Sequence, residues 1–199
     1  MTEINIDLPD GATPIEPDDL ADLIPAHIRT RRELNTFEAQ NIRFGVRDVQ
    51  KRGRRSSNIL STKFCLDLHK AMTDKTWHWD GEIRTREVSI GDCPPHMIRE
   101  RLINVLDDAS YWVVNKTFDP DEICARLHRN LVWIHPFKNV NGRHSRIMAD
   151  LLAKSIGLKP FTWGGGRIMD QGTDRDSYLS ALRLADTGDF SALIDFMRS

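Results

Sequence analysis

Cysteine is scarce in this chain. Cys65, Cys93 and Cys124 form no CxxC pair, and their odd, widely separated set excludes a disulfide framework and fits a reducing compartment. Long apolar runs are missing too: no window approaches the roughly 20 consecutive apolar residues needed to span a bilayer. The first 20 residues carry six acids and no base, the reverse of a secretory leader, so a cytoplasmic protein is expected, with no membrane partner. Neither sign of charge is in surplus. With 28 Lys plus Arg against 29 Asp plus Glu, a wholesale nucleic-acid binder is not expected. Neither HExxH nor finger spacing surrounds His128, His135 and His144, which excludes a zinc signature. GxxxxGK is absent, and the run from Gly164 to Gly166 lacks the strand, helix and acid of a dinucleotide fingerprint, so it reads as a turn.

What remains is an ordinary globular composition: 199 residues, 40% hydrophobic and 29% charged, enough for one domain with a substantial core. Residues 1–29, rich in Pro and acids, read as an extended acidic arm, and residues 30–199 as the folded unit. The class is mainly α. Ile42, Val46 and Val49 put one stripe on a helix over 35–52, and Ser61 and Thr62 cap a second that carries Phe64, Leu68 and Met72. From Trp77 to Pro94 the helical period lapses. The Asp80-Gly81 turn signal followed by Ile83, Thr85, Val88 and Ile90 predicts a small β-hairpin. Pro94 and Pro95 open a long helix with Ile98, Leu102, Val105, Ala109 and Trp112 inward. Asp119, Pro120 and Glu122 start another, whose stripe of Ile123, Leu127, Leu131 and Ile134 stops at His135-Pro136. A further helix begins near Asn141 and ends at Gly157, and two more follow, the first capped by Asp174 and carrying Tyr178, the second carrying Leu193, Ile194 and Met197. Cys124 and His128 read as packed core residues, and the bases Arg43, Arg47, Lys51, Arg52, Arg54 and Arg55 as a solvated face.

The chemistry concentrates where two of these helices meet, at His135-Pro136-Phe137-Lys138-Asn139-Val140-Asn141-Gly142-Arg143. A helix starting near Asn141 and Gly142 offers unpaired backbone N–H groups and a positive dipole end, an anion site. Arg143 and Arg146, three apart, can each fork onto phosphate oxygens. His135 stands at the other lip of the loop, with a reference pKa near 6.5 that suits a general base or acid at neutral pH. A base across from a phosphate cradle suggests transfer of a phosphorus centre.

From His135 to Arg146 the chain reads HPFKNVNGRHSR, which resembles the motif HPFx(D/E)GNGRxxR of the Fic/Doc, or Fido domain, family. Trp79-Asp80-Gly81 with Ile83-Arg84-Thr85 resembles the family's flap, and the stretch from Tyr178 to Asp186 its C-terminal helix. The stretches from Gly11 to Asp18 and from Thr30 to Asn35 resemble a subgroup called mobile mystery protein B, which is named by genetic context. The resemblance implies a helical bundle with a hairpin flap, a Fic domain over 30–199, and transfer of AMP from ATP to a protein hydroxyl. Carried over residue by residue, His135 is the general base and Asn141, Gly142, Arg143 and Arg146 hold the phosphates. The flap near residues 83–91 clamps the target protein, and the subgroup implies a helix-turn-helix companion protein.

Two departures bear on the site. Asn139 stands where the family has the acid that ligates magnesium, and offers a neutral carbonyl oxygen in its place, which weakens recruitment of Mg²⁺. Val140 stands where the family has glycine, and a β-branched residue is penalised at positive φ. Lys138 adds a cation that could stand in for metal charge. These departures keep open a degenerate fold that binds nucleotide or a partner without chemistry. Phosphoryl transfer of the Doc type is disfavoured because that branch has Lys at the position of Gly142. The inhibitory pattern (S/T)xxxE(G/N) does not fit Thr30, Glu33, Asn35 and Glu38, although a glutamate there could pair with Arg146.

Overall fold

The computed structural model describes residues 21–28, 31–51, 56–88, 91–165 and 173–199. The start of the acidic arm, the Gly53 loop, Ile90 and Gly166 lie outside the described residues. The described elements are α1 (Arg31–Lys51), α2 (Ser56–Ile59), α3 (Thr62–Thr73), a 3₁₀ turn (Pro95–Met97), α4 (Ile98–Asn115), α5 (Pro120–Ile134), α6 (Asn141–Ser155), α7 (Thr173–Asp186) and α8 (Ser191–Arg198). The protein is mainly helical, as the sequence predicts. Among the described residues no helix is long and apolar enough to cross a membrane.

The caps follow the sequence closely. Ser61 accepts the N–H of Phe64 at 3.2 Å to start α3. Asp119 accepts the N–H of Asp121 at 3.1 Å, with Pro120 filling the first helical position of α5. Glu122 serves differently from a capping residue and pairs with Arg126 at 2.7 Å. Gly157 takes φ +86 after α6, and Gly188 φ +94 between α7 and α8.

Packing centres on α5 and α6, which lie side by side, with α4 against α5 and the pair α7 and α8 closing one side. Ile123, Leu127, Leu131 and Ile134 of α5 and Met148, Leu151 and Leu152 of α6 are buried. Cys124 and His128 are also fully buried, and His128 Nε2 lies 3.0 Å from the Tyr178 hydroxyl on α7. α1 crosses α3 closely at Gly45, where a Cβ would stand 1.8 Å from the Ala71 carbonyl oxygen, so only glycine fits.

Two segments depart from the helical plan. Residues 22–24 run beside 76–78: Ile24 N–H donates to Thr76 O and His78 N–H to Asp22 O, both at 2.9 Å. Ile28, Leu34, Trp77 and Trp79 form a second apolar cluster beneath them. In place of the hairpin expected over Trp77 to Pro94, the described residues form no strand ladder. Ile83 instead makes an isolated antiparallel bridge to Phe137. The Arg84 guanidinium ties the segment together instead, donating to the carbonyls of Arg86 at 2.8 Å and Cys93 at 2.6 Å, while residues 89–90 lie outside the described residues.

Candidate functional site

His135 ends α5 in a left-handed conformation, φ 48 and ψ 61, with its N–H on Leu131 O at 3.0 Å. Its Nδ1 lies 3.1 Å from Val132 O. A carbonyl only accepts, so Nδ1 carries the hydrogen and Nε2 is left with its lone pair. The side chain is 5% exposed, and burial first, then nearby Arg84, lowers its pKa to about 4 against the opposing bond to Val132. At neutral pH the imidazole is uncharged. The flap passes directly over it: a Cβ at Gly91, φ +104, would stand 2.5 Å from His135 Cβ, so a side chain there would displace the histidine.

Beyond His135 the loop is tied to the helix it precedes. Phe137 N–H donates to Asn141 Oδ1 at 2.9 Å, and Asn141 Nδ2 donates back to Phe137 O at 2.7 Å. The Asn141 amide is therefore an internal clasp, and its share in anion binding falls to its backbone N–H. Val140, 4% exposed, is left-handed with φ 64 and ψ 5, the conformation its branched side chain disfavours. Asn139 Oδ1 accepts the Val140 N–H at 2.7 Å and holds the turn in place. The valine thus keeps the conformation that glycine would adopt freely. The first bond of α6 runs from His144 N–H to Val140 O at 2.9 Å, so the N–H groups of Asn141, Gly142 and Arg143 have no acceptor among the described residues. Apart from its chain neighbours and its own helix backbone, no atom of the described residues lies within 4 Å of a Cβ placed on Gly142, which leaves that end of the helix open.

Of the two arginines, Arg143 donates to Glu38 Oε2 on α1 at 2.6 Å. Glu38 is 1% exposed, and its other oxygen accepts Trp77 Nε1 at 2.9 Å. The glutamate that could have paired with Arg146 thus pairs with Arg143, positioned by an indole from the 76–78 segment. Arg146 has no carboxylate partner among the described residues, and burial holds its pKa below the usual arginine value. Lys138 lies 3.3 Å from Asp22 and 5.9 Å from the Trp79 ring centre, so its charge already has a partner in the N-terminal segment.

The residues at 139 do not fit magnesium. Asn139 Oδ1 is engaged by Val140, its Nδ2 is a buried donor without a partner, and no three His, Cys, Asp or Glu side chains converge among the described residues. An unpartnered donor suits an anion, not a cation.

Two residues that periodicity did not single out organise the site. Arg84, 2% exposed, reaches His135 O at 2.7 Å and Ile134 O at 3.3 Å besides the two flap carbonyls. A guanidinium at a helix C-terminus meets the orphan carbonyls and the negative dipole end together. His69 of α3 accepts the Gly81 N–H on Nδ1 at 3.1 Å and approaches Asn139 O with Nε2 at 3.2 Å, so Nε2 carries the hydrogen. Its ring stacks on Phe137 with centroids 3.7 Å apart, and burial first, then His144, holds its pKa well below the ordinary value. The only sequence signal for His69 was its place beside Leu68 on a buried helix face; for Arg84 it was its place in the Ile83-Arg84-Thr85 stretch that resembles the family's flap. The arrangement joins an uncharged imidazole with a free lone pair to an open helix N-terminus, a pairing that can bind an anion and take up a proton.

The Fic/DOC family model matches residues 59–153. A Fido domain-containing protein from Dictyostelium discoideum is 31% identical over 110 residues, which cover 54% of this chain and 72% of that protein. Protein adenylyltransferase fic-1 from Caenorhabditis elegans is 30% identical over 123 residues, 59% of this chain. The match covers only 22% of that relative, so the chain spans about a fifth of its length. Among solved structures, the BepC protein of Bartonella tribocorum with bound AMPPNP superposes with a TM-score of 0.66 at 16% identity, covering 96% of this chain and 93% of that one. At that identity the likeness shows the fold.

Proposed function

The chain belongs to the Fic/DOC family, and from that premise we propose that it transfers AMP from ATP to a hydroxyl of a target protein, with His135 as the general base. The observation that carries this reading is the Nδ1–H bond of His135 to Val132 O, 3.1 Å, which leaves Nε2 able to accept a proton at neutral pH. In the step proposed, the hydroxyl oxygen bonds to the α-phosphorus and its proton passes to Nε2. The bond from that phosphorus to the bridging oxygen breaks, and pyrophosphate leaves with the electron pair. The open N–H groups of Asn141, Gly142 and Arg143 receive phosphate oxygens, joined by the guanidinium of Arg146. A pKa of about 4 makes His135 a weak base, but a phosphate chain beside it favours the protonated imidazole and moves that value toward neutrality.

Charge compensation in this reading comes from arginines and backbone N–H groups, so ATP binds with little dependence on Mg²⁺. The flap around 83–91 holds the target segment, with Gly91 keeping that backbone close against His135. The adenylyltransferase name of the Caenorhabditis relative and the AMPPNP in BepC support a nucleotide of this kind. A second reading, nucleotide binding without transfer, draws on one observation: Arg143 is held by Glu38 at 2.6 Å and must exchange that partner for phosphate. The test is incubation of the pure chain in a cell lysate with ATP labelled separately on the α and γ phosphates. The proposal expects protein labelling from the α label only, lost by roughly 100-fold or more in His135→Ala. Labelling from γ, or labelling by the alanine variant within threefold of the parent, contradicts it. Nucleotide binding with neither label transferred favours the second reading.

A further inference from the structure

Arg175 lies in the first turn of α7, three residues before Tyr178. Its Nε is buried and has no hydrogen-bond partner. Arg146 of α6 is buried nearby, and the charges of Arg143 and Arg175 both disfavour its own. Asp150, the acid that acts on Arg146, accepts Phe161 N–H at 3.1 Å and Trp163 Nε1 at 3.2 Å, and burial raises its carboxyl to about 6. Of these three arginines, Arg143 alone has a carboxylate partner among the described residues, Glu38. The result is a group of guanidinium side chains near the starts of two helices, where the positive dipole ends already oppose cations. Left alone, that arrangement works against folding: like charges crowd, and a buried donor goes without an acceptor. A polyanion between them would remove both costs. A surface arginine in an ordinary ion pair would show its carboxylate, and among the described residues Arg175 has none.

We propose that Arg175 is a further phosphate-binding cation of this site, acting with Arg146 and Arg143 so that a nucleoside triphosphate is preferred over its shorter phosphate forms. This assignment rests on the nucleotide reading above and extends it to α7, an element outside the 135–146 loop and helix start.

Calorimetric titration of the full chain with ATP, AMP, adenosine and inorganic tripolyphosphate in EDTA, on the parent, Arg175→Gln and Arg175→Lys, tests it. The expected result is at least a tenfold loss of ATP and tripolyphosphate affinity in Arg175→Gln, about 1.4 kcal/mol, with adenosine affinity within twofold of the parent. The preference for ATP over AMP narrows by the same factor, and Arg175→Lys, which keeps the charge, stays within threefold of the parent. Without ligand, the melting temperature of Arg175→Gln is expected to stay level or rise, since one uncompensated cation is gone. Unchanged ATP affinity in both variants, beside a parent that binds ATP, overturns the role of Arg175 alone. Equal losses for ATP and adenosine with a lower melting temperature also overturn it and mark a structural residue. A parent that binds neither ATP nor tripolyphosphate overturns it together with the nucleotide reading.

Discussion

The two lips of the 135–141 loop are opposite in one respect. At the end of α5 the carbonyls of Ile134 and His135 are met by the buried Arg84 guanidinium, and the imidazole of His135 is fixed by Val132. At the start of α6 the N–H groups of Asn141, Gly142 and Arg143 meet nothing among the described residues, and Arg146 behind them forms no ion pair with a carboxylate among those residues. A fold that satisfies one helix end so fully and leaves the neighbouring end open has separated scaffold from site. The open end costs stability unless water or a ligand completes it, which is how binding sites differ from core. The conformations agree with this division, for the loop enters and leaves through left-handed residues, His135 at φ 48 and Val140 at φ 64, and neither is glycine. Such strain persists only where the surroundings over-determine it, and it concentrates at working sites.

The largest effect on this comparison comes from opening the satisfied lip. Arg84→Met keeps the volume of the stem and removes every donor, leaving the carbonyls of Ile134, His135, Arg86 and Cys93 without that partner. A buried unsatisfied acceptor costs about 1–3 kcal/mol, so chemical denaturation should show a loss of at least about 3 kcal/mol. A loss under about 1 kcal/mol would mean the flap is held by something else.

A smaller, graded effect comes from pH. His135 and His144 are lowered to about 4, His128 to about 3, and His69 well below its ordinary value, each chiefly by burial. Because the folded values lie below the unfolded one near 6.5, the unfolded chain binds protons first as pH falls. Their contribution is complete above about pH 6.5 and is lost progressively toward pH 4, by up to about 1.4 kcal/mol per pH unit for each group. Asp150, raised to about 6, has the opposite slope over part of the same window but is a single group. Melting temperature should therefore fall between pH 7 and pH 4.5. A flat profile would place these imidazoles in contact with solvent.

Most of the helical frame was legible in the sequence because its signals are local: Asp119 before Pro120, Ser61 before its apolar stripe, Gly157 after Ile156. The loop itself was legible as a motif, and His135, Gly142 and the arginines stand around one helix junction. What escaped were contacts between residues far apart in the chain. Glu38 reaches Arg143 from α1, Arg84 reaches carbonyls about fifty positions away, and His69 spans from Gly81 to Asn139. No period or cap encodes such pairs. The hairpin is not seen among the described residues, where Arg84, a side chain, ties the segment's carbonyls instead. The objection to Val140 was sound as propensity, yet tertiary context overrode it: Asn139 holds its N–H, and its side chain is buried.

The central claim is that phosphate enters at the open lip while the histidine lip stays a fixed scaffold. Following the backbone amide resonances of the ¹⁵N-labelled chain during titration with ATP in EDTA tests it most directly. The account predicts the largest shifts at the amides of Asn141, Gly142 and Arg143, with Leu131 and Val132 nearly still. Saturable ATP binding that moves amides elsewhere and leaves those three unchanged would contradict it.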